Sequence, residues 1–243
     1  MVHPDTRQRI TREDAQLAIR LVARSSESDE RELQLVLANQ GLDALLDDAR
    51  LPPAILREPL GALASMPLFT YVVMRYALRR VGEDDRMLAD YLAAVVLTFG
   101  VRDRAQRADD NDDEIYATLA DLLRDAEGRD PRRTYKVRAH LGNYALWLSG
   151  LFPDYIEQRR WRRGGPALEY YEAMGTRGFE LAAEHGLAKQ QQMSDLYAAA
   201  AQRFATLRLA LTGLSDALLF PRLNSPERLM RQVRDETRWR WVH

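Results

Sequence analysis

Apolar residues recur along this chain at the three- and four-residue spacing of helices, and helix start and stop residues separate the apolar segments. One example is Thr11 with Asp14, a capping-box pair that precedes Leu17 and Leu21. No window of about four to eight residues alternates between apolar and polar positions as a strand would. The pattern therefore predicts an all-α protein, an irregular bundle of about nine or ten helices with no β-sheet.

These signals also predict how the chain is organised. N-terminal helices are expected over residues 1–60, a main bundle over 65–220 and a C-terminal helix over 225–243. The length of 243 residues suits one large domain with a substantial core. We therefore expect the three parts to form a single helical domain over residues 1–243.

Four of the predicted helices have a distinctive composition. Met66–Val81 and Arg86–Phe99 are apolar on nearly every side, so both are expected to be buried at the centre of the core. Residues 193–220 are rich in alanine and are predicted as one long helix. The last helix, after Ser225, mixes arginines with apolar residues. We expect it to dock on its own domain with the arginines solvated, rather than to bind a membrane surface.

Composition and charge narrow the possible classes. Lysine and arginine total 35 against 36 for aspartate and glutamate, so the formal net charge is −1. Nucleic-acid-binding proteins usually carry a basic excess, and this balance argues against that class. The absence of cysteine excludes disulfides, thiolate metal sites and cysteine nucleophiles. With neither a signal-peptide pattern nor an apolar run near the ~20 residues that span a membrane, we expect a cytoplasmic protein.

The motifs of several common enzyme classes are missing from the sequence. It contains no Glu-x-x-His, His-Glu-x-x-His, Gly-x-x-x-x-Gly-Lys, Gly-x-Gly-x-x-Gly or Gly-x-Ser-x-Gly. The acidic run from Asp109 to Glu114 fails the calcium-loop pattern, because Glu114 stands where that loop needs a glycine. We therefore expect no metal, no cofactor and no catalytic residue, and the sequence favours a protein that is not an enzyme.

The segment from His140 to Gly175 combines aromatic, glycine and polar residues more densely than a helical core requires. His140, Tyr144 and Trp147 lie at helical spacing and are predicted to share one face. They could line a pocket in which His140 acts as a general base and Tyr144 as a donor. The alternative is a core histidine packed among aromatic rings, and this reading is favoured because no catalytic partner is evident.

Three glycines stand in the interiors of predicted helices, where each costs about 1 kcal/mol relative to alanine. Gly142 lies in the helix that follows Asp130-Pro131, and Gly175 and Gly178 lie in the one that follows Pro166. Small residues at such positions allow another helix or a ligand to approach the backbone closely. Close packing of these two helices on each other is the favoured cause, with a ligand as the alternative.

The run Arg159-Arg160-Trp161-Arg162-Arg163 concentrates four guanidinium groups around an indole ring. Such a cluster can bind a phosphate or a single-stranded nucleic acid through charge and stacking. The alternative is that these cations stabilise the C-terminus of a helix that ends at Gly164. The near-neutral net charge favours this second interpretation.

Over residues 67–99 and 140–177 the chain resembles a family of bacterial all-helical proteins that has no assigned activity. The segments that carry the resemblance are Pro67–Val73, Leu88–Leu92, Leu141–Leu146, Gly150–Asp154 and Tyr170–Gly175. The resemblance implies a bacterial, all-helical protein that forms a single unit. It implies no ligand and no catalytic residue.

The sequence leads to three hypotheses about function, and the first two are favoured over the third. The first is a non-enzymatic helical scaffold that binds a protein partner or self-associates through an aromatic and arginine-rich surface near Trp147–Tyr171. The second is a small-molecule-binding protein or enzyme with a pocket between helices 131–150 and 166–186. The third is nucleic-acid binding through Arg159–Arg163. The candidate ligand- or partner-binding residues are His140, Asn143, Tyr144, Trp147, Asp154, Tyr155, Arg159, Arg160, Trp161, Tyr170, Tyr171 and Glu172.

Overall fold

The computed structural model describes residues 1–101, 105, 107–108, 118–126 and 130–242, with side chains of the last helix described through Thr237. The residues described in these ranges form α-helices joined by short turns and contain no β-strand, which confirms the all-α prediction. The α-helices are α1 Arg12–Ala23, α2 Glu27–Gln40, α3 Leu42–Leu46, α4 Leu51–Arg57, α5 Met66–Arg80, α6 Arg86–Phe99, α7 Leu119–Asp125, α8 Pro131–Leu151, α9 Pro153–Arg163, α10 Leu168–Ala183, α11 Gly186–Gln190, α12 Ser194–Gln202, α13 Phe204–Leu214 and α14 Pro226–Val242.

The predicted count of nine or ten helices is wrong, since the described part of the chain contains fourteen. Short helices that the sequence does not predict, such as α4 of seven residues and α11 of five, account for part of the difference. The rest comes from residues 193–220, where Arg203 leaves the helical conformation and separates α12 from α13. A π-helical turn over Ser215–Leu219 then follows α13. Periodicity alone does not reveal such breaks, because the apolar pattern continues across them.

Several of the predicted helix starts are confirmed by side-chain capping bonds. Thr11 and Asp14 form the reciprocal capping box, and the Asp130 carboxylate accepts from the Arg132 N–H at the start of α8. The Ser225 hydroxyl accepts from the Arg228 N–H at 3.1 Å and begins α14. The end of α9 is also as predicted, because Gly164 adopts a left-handed φ of 64° that favours glycine.

The chain divides into two compact units, Val2–Leu97 and Thr98–His243, the second also including Met1. In the first unit, the buried apolar residues of α5 include Leu68, Tyr71 and Val72, and those of α6 include Leu88 and Leu92. The prediction that these two helices are buried is confirmed. The assignment of residues 1–243 to a single helical domain stays a prediction.

The second unit is organised by the close packing of α8 on α10. A Cβ on Gly142 would lie 2.5 Å from the Phe179 ring, and a Cβ on Gly178 would lie 2.7 Å from the backbone nitrogen of Gly142. The two backbones therefore approach closely only because neither position carries a side chain. This confirms that the mid-helix glycines serve helix packing. The helices α12 and α13 pack against the same pair and complete the apolar core of the unit.

Two sequence features remain, the acidic run after α6 and the question of a membrane-spanning helix. The acidic run from Asp109 to Glu114 lies outside the described residues. Among the helices that are described, none combines the length and the apolar character needed to cross a bilayer.

Candidate functional site

The predicted stripe on α8 forms a row of aromatic rings. His140 stacks on Tyr144 with ring centroids 6.0 Å apart, and Tyr144 stacks on Trp147 at 6.2 Å. Phe99 packs against His140 at 5.4 Å and against Trp147 at 5.9 Å. His140 is buried in this row, as is Asn143 beside it on α8. The surroundings of His140 are those of a core histidine packed among rings.

Three tyrosines and one arginine from α8, α9 and α10 come together beside this row. The Arg159 guanidinium lies 5.6 Å from the centre of the Tyr155 ring. Burial raises the pKa of Tyr144, and the nearby Tyr171 and Tyr155 raise it further, while Arg159 opposes the shift. Burial also raises the pKa of Tyr171, again against Arg159. Phenols with a raised pKa stay protonated at neutral pH, so Tyr144 and Tyr171 can donate hydrogen bonds but are poor general bases.

The two carboxylates among the predicted site residues are both committed to ion pairs. Glu172 on α10 accepts from Arg208 Nε at 2.7 Å, and Asp154 at the start of α9 accepts from Arg231 Nε at 2.9 Å. Tyr170 is partly exposed and packs edge-on against Tyr171, with the ring centroids 5.8 Å apart. The twelve predicted residues are therefore divided among an aromatic row, a tyrosine group and an ion-pair network, together with an exposed basic segment described below.

The ion-pair network, which we call the α14 network, attaches the last helix to the rest of its unit. Arg231 on α14 bonds Asp154 at 2.9 Å, Asp216 at 2.8 Å and Asp235 at 3.4 Å. Arg208 on α13 joins Asp235 to Glu172. The members are five arginines and five carboxylates in two bonded groups: Arg208, Arg228, Arg231, Asp154, Glu172, Asp216 and Asp235 form one, and Glu157 with Arg160 and Arg234 forms the other. Arg208 and Arg231 at the centre are buried among carboxylates, whereas the side chains of Arg160 and Arg234 are 37 % and 34 % exposed.

The pKa of Arg231 shows how strongly these groups interact. Burial alone would lower it, but the Asp216 and Asp154 carboxylates raise the pKa of Arg231 above its ordinary value. Arg231 is 1 % exposed and Arg208 is also 1 % exposed, so both guanidinium groups are shielded from water. Removing either partner of such a pair leaves an uncompensated buried charge, which costs about 3–5 kcal/mol.

The orientation of α14 is the reverse of that expected from its composition. Arg228 and Arg231 face inward and are buried. Leu229, Met230 and Val233 face outward and are 61 %, 61 % and 54 % exposed. The expectation that the arginines of this helix are solvated is wrong for these two. Helical spacing separates the two faces of α14 but does not show which face is inward, and here the acidic residues on α9 and the π-helical turn select the arginine face.

A connected stretch of chain adds to the exposed apolar residues of α14. Leu218 and Leu219 in the π-helical turn are 40 % and 53 % exposed, and Phe220 and Leu223 after it are 38 % and 42 % exposed. We call the seven residues the C-terminal apolar surface: Leu218, Leu219, Phe220, Leu223, Leu229, Met230 and Val233. Arg228 fixes this turn, because its guanidinium donates to the backbone carbonyls of Phe220 at 2.8 Å and Asp216 at 3.2 Å.

A cleft of about 230 Å³ opens beside this surface, where the α8–α9 junction faces the segment before α14. Its apolar walls are Leu151, Phe152, Pro153, Phe220 and Leu223. Asp154, Tyr155, Gln158, Ser225 and Glu227 provide its polar groups. The Phe152 ring packs against Trp147 at 4.8 Å and against Phe220 at 6.1 Å, so the aromatic row of α8 extends to the cleft.

The basic run lies at the C-terminal end of α9, as predicted, and part of its charge is already engaged. Arg160 lies 5.5 Å above the Trp161 ring and 3.8 Å from Glu157. Arg159 lies over Tyr155. Trp161 itself is 64 % exposed, one of the largest exposed fractions among the apolar side chains described.

Several residues of this region were not predicted as site residues. They include Arg208, Arg228, Arg231, Arg234, Asp216, Asp235 and Glu157 in the α14 network, and Phe152, Phe220 and Leu223 in the cleft. The spacing of Arg228, Arg231 and Asp235 on one face of α14 was the available signal. The bonds themselves join residues as far as 77 positions apart, which spacing cannot reveal.

Within the described residues, no group of three or more histidine, aspartate or glutamate side chains is arranged to hold a metal ion. Comparison with protein families, with curated proteins and with solved structures finds no match to this chain. The resemblance to a bacterial helical family therefore stays a prediction.

Proposed function

We propose that this protein is a non-enzymatic helical scaffold that binds a protein partner or a second copy of itself, and that binding uses the C-terminal apolar surface. One observation carries the proposal. The last helix buries Arg228 and Arg231 among carboxylates and leaves Leu229, Met230 and Val233 exposed. Contiguous exposed apolar residues on a water-soluble helix are typical of interaction sites, because their burial on binding is favourable.

This proposal moves the expected binding surface along the chain. The surface predicted near Trp147–Tyr171 contains buried residues, including Tyr171 and Glu172, and the ring of Trp147 packs against Phe99 and Phe152. Tyr155 and Trp161 remain exposed on α9. They lie on the same helix as Asp154 and Gln158, which line the cleft, so α9 connects the predicted surface to the C-terminal apolar surface.

The small-molecule alternative has less support. At the crossing of α8 and α10, the Phe179 ring and the two glycine backbones occupy the space in which a ligand would bind. The cleft beside Phe152 is also smaller than the ~300–1,000 Å³ of drug-sized ligand sites. Asp154, an acid in the wall of this cleft, is already paired with Arg231 and is not free to bind a ligand.

A substitution on the outward face of α14 tests the proposal. Met230→Glu places a charge in the centre of the C-terminal apolar surface without touching the α14 network. We expect it to abolish the surface-dependent binding that the wild-type chain shows, measured by cross-linking capture from the source organism and by sedimentation of the purified chain. Any captured protein is then purified and its direct binding measured.

The matched control is Leu35→Glu, which charges a residue of α2 that is 62 % exposed, a fraction close to that of Met230. It should behave as the wild type. Equal capture and equal sedimentation for wild type, Met230→Glu and Leu35→Glu would contradict the proposed surface.

A further inference from the structure

The size and lining of the cleft indicate what it can hold. Its volume of about 230 Å³ suits one bulky side chain or a fragment rather than a whole metabolite. Phe152, Phe220 and Leu223 provide apolar walls. The charged side chains on its rim, Asp154 and Glu227, are both acidic. These features fit an aromatic side chain that has basic neighbours.

The charge on the rim is present at neutral pH. Hydrogen bonds from the Glu227 backbone N–H and from Ser225 lower the pKa of Glu227, and Arg162 lowers it further. The Asp154 charge is compensated, because Arg231 donates to it at 2.9 Å and Arg228 lies 3.6 Å away. A basic group that approaches the cleft therefore meets chiefly the Glu227 carboxylate.

The chain itself exposes an aromatic side chain with basic neighbours. Trp161 is 64 % exposed and stands between Arg160 and Arg162. Arg160 lies over the indole at 5.5 Å and also contacts Glu157, so one side of the ring is held in place by its own helix. Such pre-organisation lowers the entropy cost of inserting the ring into a pocket.

The positions of cleft and indole on α9 are self-complementary. Asp154, Gln158 and Trp161 follow i, i+4 and i+7 spacing, so they share one face of the helix. Trp161 lies seven residues after Asp154, which marks the cleft end of α9, and this spacing is about 10 Å along the helix axis. If two copies place their α9 helices antiparallel, each Trp161 comes opposite the Asp154 end of the other copy. Both contacts form at once around a two-fold axis, and the assembly closes as a dimer.

We infer that the chain forms a symmetric homodimer in which Trp161 of each copy inserts into the cleft between Phe152 and Leu223 of the other. Arg162, next to the inserted ring, faces Glu227 on the rim of that cleft. This inference rests on the proposed binding function and names one partner for it, a second copy. Gln158, exposed and part of the cleft wall, lies next to the two-fold axis.

The same segment could instead stack on a single-stranded nucleic acid. The dimer is favoured because the cleft beside Phe152 has the size of one bulky side chain, and the formal net charge of −1 provides no general attraction for a polyanion.

Sedimentation velocity of the full chain over a concentration series tests the dimer. Trp161→Ala removes the inserted ring, and Leu223→Arg fills the cleft and adds a charge that repels the flanking arginines. Each should weaken dimerisation at least about 30-fold, the effect of losing one interface hot spot. Trp161→Phe, which keeps a ring, should retain most of the affinity, and Leu35→Ala should leave it unchanged. Circular dichroism confirms that each variant folds; both principal positions are exposed.

A mixing experiment provides the sharper result. Trp161→Ala keeps its cleft and Leu223→Arg keeps its indole, so a mixture can form one of the two symmetric contacts. We expect heterodimers in native mass spectrometry of the mixture at concentrations where each variant alone is monomeric. A mixture that stays monomeric while the wild type dimerises would overturn the inference.

Two other results would also overturn it. One is a wild-type chain that remains monomeric up to about 100 µM, a concentration that would reveal even weak association. The other is a labelled single-stranded oligonucleotide that binds the wild type and not Trp161→Ala, while dimerisation is equal in both. Neither result depends on Met230, so the proposed binding surface is tested separately by the capture experiment with Met230→Glu.

Discussion

Each of the two units contains a network of arginines and carboxylates, and the two networks have opposite arrangements. In the first unit, the Asp47 carboxylate after α3 is central and bonds Arg75 at 2.9 Å, Arg79 at 3.0 Å and Arg86 at 2.6 Å. In the second unit, the centre is occupied by guanidinium groups, Arg208 and Arg231, with carboxylates around them.

The difference is also one of exposure. The side chains of Arg79 and Arg86 are 36 % and 46 % exposed, so the Asp47 network lies at the edge of the apolar core to which Tyr71 and Val72 contribute. In the α14 network the arginines that contact α14 from below or from its inner face, Arg208, Arg228 and Arg231, are at most 5 % exposed, and they lie where an apolar contact would be expected. These charges and hydrogen bonds hold α14 in place and leave the apolar residues of that helix exposed. The Asp47 network therefore supplements an apolar core, whereas the α14 network takes the place of apolar contacts beneath α14.

The largest effect is expected from removing the central charge beneath α14. Arg231→Met leaves Asp216 and Asp154 with fewer positive partners and should cost about 4 kcal/mol of local stability. Amide hydrogen exchange should then rise sharply over residues 226–237 and little in α5. Gln232→Ala, which removes a single exposed hydrogen bond to Asp216, is the control and should leave exchange in α14 nearly unchanged. Equal protection in Arg231→Met and wild type would show that α14 is held in another way.

A somewhat smaller effect is expected from the corresponding change in the first unit. Asp47→Asn should cost about 2 kcal/mol, because buried Arg75 loses one of its two charged acceptors and keeps Asp84, while Arg79 and Arg86 can turn to water. Hydrogen exchange in α3 and α5 measures the loss. Asp48→Asn is the matched control, since Asp48 pairs with the exposed Arg50 and should cost less than about 1 kcal/mol.

The same carboxylate predicts an acid dependence. Burial would raise the pKa of Asp47, but hydrogen bonds from Arg75 and Arg86 hold this pKa below its ordinary value of 3.8. An acid whose pKa is lower in the folded state than in the unfolded state stabilises the fold at pH values above its unfolded pKa. This contribution disappears as the pH falls through the folded pKa. The difference in stability between wild type and Asp47→Asn should therefore be constant from neutral pH to about pH 5 and shrink below pH 3.8. A difference that stays constant down to pH 2 would contradict this.

Apolar packing in the second unit provides a third point of comparison. Gly142→Ala places a methyl group against the Phe179 ring and should cost about 1–3 kcal/mol by overpacking. Gly213→Ala in α13 meets no atom within 4 Å and should instead be neutral or stabilise by up to about 1 kcal/mol. Chemical denaturation of both variants gives the two free energies. A Gly142→Ala protein as stable as the wild type would mean that α8 and α10 separate easily.

The smallest effect is expected at His140. It is buried in the aromatic row and lies outside the cleft walls and the C-terminal apolar surface. His140→Ala should therefore change partner or homodimer affinity by less than about twofold, although it destabilises the fold through the lost ring contacts. Loss of a bound ligand in a folded His140→Ala protein would instead favour the pocket hypothesis.

The sequence predicts the local structure of this protein well and its tertiary polar contacts poorly. The pairs Thr11 and Asp14, and Asp130 and Pro131, predict helix starts because capping depends on neighbouring residues. Spacing also predicts that His140, Tyr144 and Trp147 share a face. The division at Arg203 is not predictable from the apolar pattern, since that pattern continues through it.

The candidate site shows the same limit more clearly. Asp154 was recognised as a polar candidate, but its partner Arg231 lies 77 residues further along the chain. Whether Arg231 or Met230 faces inward depends on which charges the neighbouring helices provide. That choice is made by tertiary electrostatics, and the periodicity of α14 is the same for both orientations.

The central claim is that α14 docks through its arginine face and exposes its apolar face. Because the chain has no cysteine, single cysteines can report on each face without background. Met230→Cys and Val233→Cys, labelled with a maleimide at concentrations too low for association, should react as fast as Leu35→Cys on the exposed face of α2. Ala210→Cys, at a buried position of α13, should react much more slowly. Protection of Met230→Cys and Val233→Cys equal to that of Ala210→Cys would show that the apolar face is inward, and the account would be wrong.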